Sequence, residues 1–482
     1  MDESILARIG FNRLRHPVSM AKLMAVHAGA NAMRSTDCGA VVWREYLDWI
    51  SGLELESEVV EALVLGFLAR GTPNVNTGEL RRAVSRPSIL SDYIVSRSGH
   101  SRILVNSWAN SHSGEVPDLY RPTAEAVRVT DATKVPPIIA SEFDRLERQS
   151  GHSFRRQWEF EIERLIARYG SPEDGSVNYW TGGERDAVGR YIGRSSHYAR
   201  SAFLRTLALA VDVWGMPDNI AESSALLALP ASLLYIQVPP GDMPVWADTL
   251  YRAAPLDDKA AHDLAEALVA NVAKQAGGRK LLYLNAPLSR SETYEGEFRV
   301  VSCYVGGGAA DSEMIFKLQN VLATSGGLAV VNRIDDVVAP PLRQGPLDVS
   351  GNVRLLPALV PDVGDAGYIT GGIWQRCPCF PANYAETKTF RGIPRPGGLD
   401  LTLDVHDLGR ITHWNQQWRP WHRPQMGPPC GVALEIETEY YSALAPSAEW
   451  RLERHWEVHL ISREREWGEW EERWLYGRLD VA

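Results

Sequence analysis

Lysine is nearly missing from this chain. Across 482 residues it occurs only at Lys22, Lys134, Lys259, Lys274, Lys280, Lys317 and Lys388, and arginine supplies the rest of the cationic charge. The simplest source of that bias is GC-rich coding in a bacterial genome. Cysteine is scarce too: Cys38, Cys303, Cys377, Cys379 and Cys430 make no disulfide framework over this length. No run approaches the roughly 18 apolar residues that a membrane span needs. The opening MDESILARIGFNRLRHP has acids ahead of its first apolar residues and no long apolar stretch, unlike a secretory signal. A cytoplasmic protein with no membrane partner is expected. Reaction signatures are missing as well: no G-x-S-x-G elbow, no H-E-x-x-H and no kinase loop set. Ser–His–Asp geometry built from remote positions stays open, because spacing does not report it.

What is present is ordinary globular composition, 45% hydrophobic and 23% charged, in a chain long enough for two or three domains. The net charge of −10 argues mildly against unselective duplex binding, which needs a positive field to displace counterions. The fold class expected is α+β and multi-domain. Residues 1–238 read as mainly helical, with apolar spacing of three to four over Pro17–Arg34, Gly39–Ile50, Glu56–Arg70, Phe154–Tyr169 and Glu184–Trp214. A helix is also expected to open at Ser141, its hydroxyl capping the Asp144 N–H. Pro239–Pro244 marks a seam.

Residues 245–345 read as an α/β segment. A helix over Leu256–Ala276 precedes strands at Lys280–Ala286 and Glu297–Val305. A helix at Ser312–Ala323 and a strand at Leu328–Ile334 would then complete one βαβ unit. Residues 346–482 read as β-rich and tryptophan-rich, in one domain with 245–345 or separate from it. Arg391–Gly431, with its many prolines, reads as a long surface loop. The sharpest pattern is Glu449–Ser462. There Trp450, Leu452, Trp456, Val458 and Leu460 share one strand face, interrupted by Arg454, and Glu453, His455, Glu457 and His459 share the other. Beyond it, Trp467, Trp470 and Trp474 recur at i, i+3 and i+7, which predicts a helix with an aromatic stripe.

Four stretches carry residue types suited to chemistry. Gly306, Gly307 and Gly308 lie between a strand and a helix start, where backbone N–H groups can bind phosphate. The stretch lacks the P-loop lysine, and Asp311 and Glu313 would repel an anion, so a glycine turn is the simpler reading. Arg190, Arg194, Arg200 and Arg205, interleaved with Tyr191, His197 and Tyr198, form the best phosphate-binding candidate. Glu159, Glu161 and Glu163 on the preceding helix could instead neutralise them. Cys377, Cys379 and Cys430 with His406, His413 and His422 have metal-ligand types but poor spacing, so no metal is assigned. His455, Glu457 and His459 could make a facial metal triad or an acid–base pair, but a solvated strand face explains them more simply.

These features favour a non-catalytic interaction or assembly subunit of a bacterial multi-protein system, with Trp467, Trp470 and Trp474 as its interface. Its partner would be another protein or a second copy, since Trp and Arg are residues of binding hot spots. Defence or mobile-element systems are the general prior for such a chain. The alternative is an enzyme or sensor binding nucleotide or nucleic acid through Gly306–Gly308 and the Arg190–Arg205 patch. No cofactor is assigned by either reading.

Overall fold

The computed structural model describes residues 3–15, 19–98, 108–126, 137–172, 194–229, 233, 237, 239–252, 257–275, 277–288, 293–306, 310–316, 347–350, 353–355, 390–403, 406–415, 430–439, 450–463 and 468–479. The fold is mixed α+β. It divides into two units, one of Met1–Gly183 with Ala187–Ala231, the other of Ser232–Ala482 with Glu184–Asp186. Among the described residues no helix is long and apolar enough to cross a membrane.

The first unit is helical: α1 Glu3–Asn12, α2 Ser19–Arg34, α3 Gly39–Ser51, α4 Glu56–Leu68, α5 Thr77–Ala83, α6 Ile89–Ser98, α7 Pro137–Ser150, α8 Phe154–Tyr169, α9 Arg194–Asp212 and α10 Asp218–Ala225. α7 opens at Pro137, four residues before the expected cap at Ser141. Proline suits a first helical position because its missing N–H would have no partner there. α4 and α9 form the centre. Nearly every residue of both is buried, and α9 packs on α4 and α8. The Tyr46 hydroxyl is inserted into α4, donating to the Ala62 carbonyl at 2.8 Å and accepting from the Gly66 N–H at 3.0 Å. Residue 66 must be small, since a Cβ there would lie 2.7 Å from that oxygen.

The second unit is built on one sheet. Its strands are β1 Lys280–Pro287, β2 Tyr294–Gly306, β3 Leu347–Ser350, β4 Val353–Leu355, β5 Phe390–Arg395, β6 Gly398–Leu403, β7 His406–Asn415, β8 Cys430–Ile436, β9 Trp450–Ser462 and β10 Glu471–Leu479. Eight of them run in the order β10-β9-β2-β1-β8-β7-β6-β5, with β4 on β2 and β3 on β4. All these pairings are antiparallel. The strands expected at Lys280–Ala286 and Glu297–Val305 are β1 and β2, an antiparallel pair, and the second of them is the expected first strand of the βαβ unit. Residues 312–316 begin the expected helix, and the crossover strand Leu328–Ile334 lies outside the described residues.

Two expectations are corrected. The proline-rich segment read as a surface loop contains β5, β6 and β7. Its prolines do not prevent this, because Pro394 is on the outermost strand and Pro396 lies in the turn that follows. The tail read as a helix is β10. Leu475, Gly477 and Leu479 oppose Val458, Trp456 and Arg454, while Trp474, Tyr476 and Arg478 oppose His459, Glu457 and His455. Tryptophans three and four apart mimic a helical stripe, but the pairing edge offered by β9 satisfies the tail's backbone and imposes period two.

One face of the sheet packs on α11, Asp258–Gln275, and on the 3-10 helix Val245–Arg252. Two tryptophans on that face lie over cross-strand glycines. Trp456 covers Gly477 and Trp414 covers Gly431, and a Cβ at either glycine would fall 2.3 Å or 2.0 Å from the ring. Trp414 also meets Trp246 edge-on at 5.9 Å, and the Trp246 indole N–H donates to Glu435 at 3.0 Å. Trp456→Ala opens a cavity between β9, β10 and α11, so it should cost about 3–5 kcal/mol of unfolding free energy. Denaturant unfolding of the full chain measures this, and a loss below about 1 kcal/mol would show that the ring is not a core element.

Candidate functional site

On the other face of the sheet the β9 side chains are polar, and they are buried among polar and apolar neighbours. Glu453, His455 and Glu457 are each no more than 1% exposed, so they do not form the solvated face expected from sequence. Residues 310–316 supply part of the cover, with Ser312 reaching His455 and Phe316 lying 5.0 Å beneath the Arg299 guanidinium. Period two along β9 carries these carboxylates and the imidazole to one side. The antiparallel register then sets Val301 and Arg478 beside His455, and Arg299 and Tyr476 beside Glu457.

Pairing neutralises the buried charge. Arg299 Nε is 3.0 Å from Glu457 Oε1. Glu453 receives Arg451 and Arg478 on one oxygen, Arg478 at 3.3 Å, and turns the other toward His455 Nε2 at 3.3 Å. The opposite ring nitrogen of His455, Nδ1, is 2.8 Å from Ser312 Oγ. Burial, the largest influence, lowers the His455 pKa to about 4, with Glu453 opposing it and Arg478 reinforcing it. The ring is therefore neutral near pH 7. The carboxylate beside Nε2 favours the proton on that nitrogen, which leaves Nδ1 to accept from the serine hydroxyl. Burial pushes the Tyr476 pKa up to about 12, with Glu457 adding to the effect. The Cys303 thiol is also pushed up by burial, so it is no thiolate nucleophile.

Asn285 shares this face, opposite Arg299 on one side and Val432 on the other. It is fully buried, and neither end of its side-chain amide has a hydrogen-bond partner among the described residues. Buried amides are normally satisfied, so this one is a notable exception.

At the sheet margin the polar face passes onto β10. Trp474 stacks on His459 with ring centroids 3.7 Å apart and planes 6° apart, and His459 Nε2 is 2.5 Å from Glu472. Trp470 is 44% exposed and Trp474 39%, and the Arg463 guanidinium sits 4.5 Å from the Trp470 ring centre. Trp467 lies outside the described residues.

The arginine candidates are elsewhere, in the helical unit. Arg200 is fully buried on α9, 2.8 Å from Glu61 and donating to the Ala228 carbonyl at 2.9 Å. Arg205 is 2.8 Å from Glu56 and 3.9 Å from Glu161. Arg194 is partly exposed, 3.7 Å from Glu54. Among the described residues Glu161 is thus the one of the three candidate acids that reaches an arginine of the set, whereas Glu163 accepts from the Tyr120 hydroxyl at 2.7 Å. Arg190, Gly307, Gly308, Cys377, Cys379 and His422 lie outside the described residues, and Gly306 ends β2 opposite Trp450. Among the described residues no group of three His, Cys, Asp or Glu side chains is placed to hold a metal ion.

From sequence, His455 reads as a metal ligand, a member of an acid–base pair with Glu457 or His459, or a surface residue, and nothing there joins it to Ser312, Arg299 or Asn285. The available signal was the alternation itself: polar residues between tryptophans on a central strand are buried if both faces are covered. No protein-family model matches the chain, and no curated protein is similar to it in sequence.

Two outcomes follow from this electrostatic arrangement. Arg205→Met strands Glu56 and Glu161 in the helical core and should cost roughly 3–5 kcal/mol, whereas Arg194→Met should change stability by less than about 1 kcal/mol. Chemical unfolding of the two variants compares them directly. For His455, the folded state holds its proton less well than the unfolded state, whose ordinary value is 6.5. Stability contributed by the neutral ring is then complete above about 6.5 and is lost as pH falls toward about 4. Melting curves across that range should show the loss in wild type and a shallower slope in His455→Gln.

Proposed function

We propose that this chain is an assembly subunit that joins a second copy of itself through the outer edge of β10. The observation that carries the reading is an outermost strand bearing exposed tryptophan. β10 ends the sheet, and no described strand pairs with its far side. Such an edge presents unpaired N–H and C=O groups that template another strand.

The sequence of β10, EERWLYGRL, is self-complementary when run antiparallel. In the register that sets Leu475 opposite its own copy, Glu472 faces Arg478 and Trp474 faces Tyr476, each twice by symmetry. Opposite charges and aromatic pairs directly across strands each contribute roughly 0.2–1 kcal/mol. Glu472 is 56% exposed and Arg478 40%, so both are within reach of an incoming strand. The wider reading, a component of a bacterial multi-protein system, is part of the same proposal and rests on the exposed tryptophan of this edge.

Sedimentation equilibrium of the full chain tests the proposal. Wild type should be a dimer at micromolar concentration. Glu472→Arg, which places like charges across the junction, and Trp474→Ala should each weaken the dimer at least about tenfold while the monomer stays folded by circular dichroism. A monomeric wild type, or a dimer indifferent to both substitutions, would remove the proposal.

A further inference from the structure

We propose that Ser312, His455 and Glu453 form a hydrolytic relay that cleaves a neutral or cationic carboxylic ester. This goes beyond the assembly reading and does not depend on it. The geometry supplies a nucleophile, a base and a carboxylate in sequence: Ser312 Oγ is hydrogen-bonded to His455 Nδ1 at 2.8 Å, and His455 Nε2 lies 3.3 Å from Glu453 Oε2, an ion-pair distance without hydrogen-bond geometry, so Glu453 acts on the ring through its charge. Those are the roles of a serine triad, with the two ring nitrogens exchanged relative to the serine-protease arrangement. Ser312 is partly exposed, whereas His455 and Glu453 are fully buried. The residue that carries the hydroxyl thus reaches the surface while the base behind it is held in a dry environment.

In the reaction, Ser312 Oγ attacks the ester carbonyl carbon as its proton passes to His455 Nδ1. The tetrahedral adduct collapses by breaking the carbon–oxygen bond to the alcohol, which leaves with that proton. Water then attacks the acyl-serine, gives a proton to His455 and displaces Ser312, which regains the proton as the acid departs. Atoms balance as ester plus water giving acid plus alcohol, and no oxidant or cofactor is required. Glu453 touches no substrate in this scheme and is a positioning residue.

One observation bears on the substrate class. Asp311 and Glu313 flank Ser312 and are exposed, so an anionic substrate is repelled. The helical unit holds an internal control. Ser57 Oγ is 2.9 Å from His197 Nδ1, and His197 Nε2 is 3.9 Å from Glu61, yet Ser57 is fully buried and accepts from Ser201.

The experiment uses the full chain with a fluorophosphonate probe and with p-nitrophenyl acetate. Intact mass should show one phosphonyl adduct, mapped by peptide sequencing to Ser312. Ser312→Ala should abolish both the adduct and ester turnover, and Ser57→Ala should leave them unchanged. His455→Gln should slow labelling at least about 100-fold. Glu453→Gln removes a carboxylate that raises the His455 pKa, so the acid limb of its pH–rate profile should move to lower pH, which a merely structural residue would not cause. Because Ser312 is only partly buried and loses a single hydroxyl, Ser312→Ala should stay folded, and it keeps the test decisive if a fully buried variant does not. No adduct on folded wild type, or an adduct that survives Ser312→Ala, would overturn the proposal.

Discussion

β9 is buried on both faces, and a strand in that position cannot separate polar from apolar residues by turning one side to water. Period two keeps Leu452, Trp456, Val458 and Leu460 against α11 and its neighbours, and it also carries Glu453, His455 and Glu457 inside. Leaving a carboxylate unpaired there would cost several kcal/mol. The strands on either side of β9 answer that demand. β2 supplies Arg299 to Glu457, and β10 supplies Arg478 to Glu453, with Arg451 of β9 itself completing the set. The register of three strands is thus fixed by charge on one face and by tryptophan on the other.

The apolar side sets that register by shape. Gly477 admits the Trp456 ring and Gly431 admits the Trp414 ring, and neither site has room for a Cβ. Shifting β10 by one residue would present Tyr476 or Arg478 to the Trp456 ring and would expose Leu475 and Leu479. The same step would carry Arg478 away from Glu453. Packing and electrostatics therefore reject the same misalignment, and a sheet joining strands from distant parts of the chain needs such agreement.

β9 was legible in sequence because its alternation extends over 13 residues with no competing signal. Its neighbour β10 was not, because a short run of tryptophans fits a helix by spacing, while pairing with β9 is a backbone contact that spacing does not report. β5–β7 were hidden by prolines whose positions, on the outermost strand and in a turn, are tolerable only once the sheet order is known. In the helical unit, an arginine-rich segment read as a phosphate surface because charge density along a chain does not say which way a helix is turned. Arg200 and Arg205 meet Glu61 and Glu56 from α4, well over a hundred positions away.

The candidate site was less legible still. Ser312 and His455 are 143 positions apart, and no spacing rule joins them. Even the structure does not distinguish a reactive serine by residue type alone, because Ser57, His197 and Glu61 repeat the same three types in the helical unit. What separates them is the hydroxyl proton. Ser57 donates to the His197 carbonyl at 2.9 Å, so its proton is committed to the backbone and its oxygen has no approach from solvent. Ser312 has the His455 imidazole as its hydrogen-bond partner and keeps part of its surface open. A base can activate only a hydroxyl whose proton it receives, and a nucleophile can attack only what reaches it. Both conditions depend on exposure and hydrogen-bond direction, which arise from the packing of segments remote in sequence.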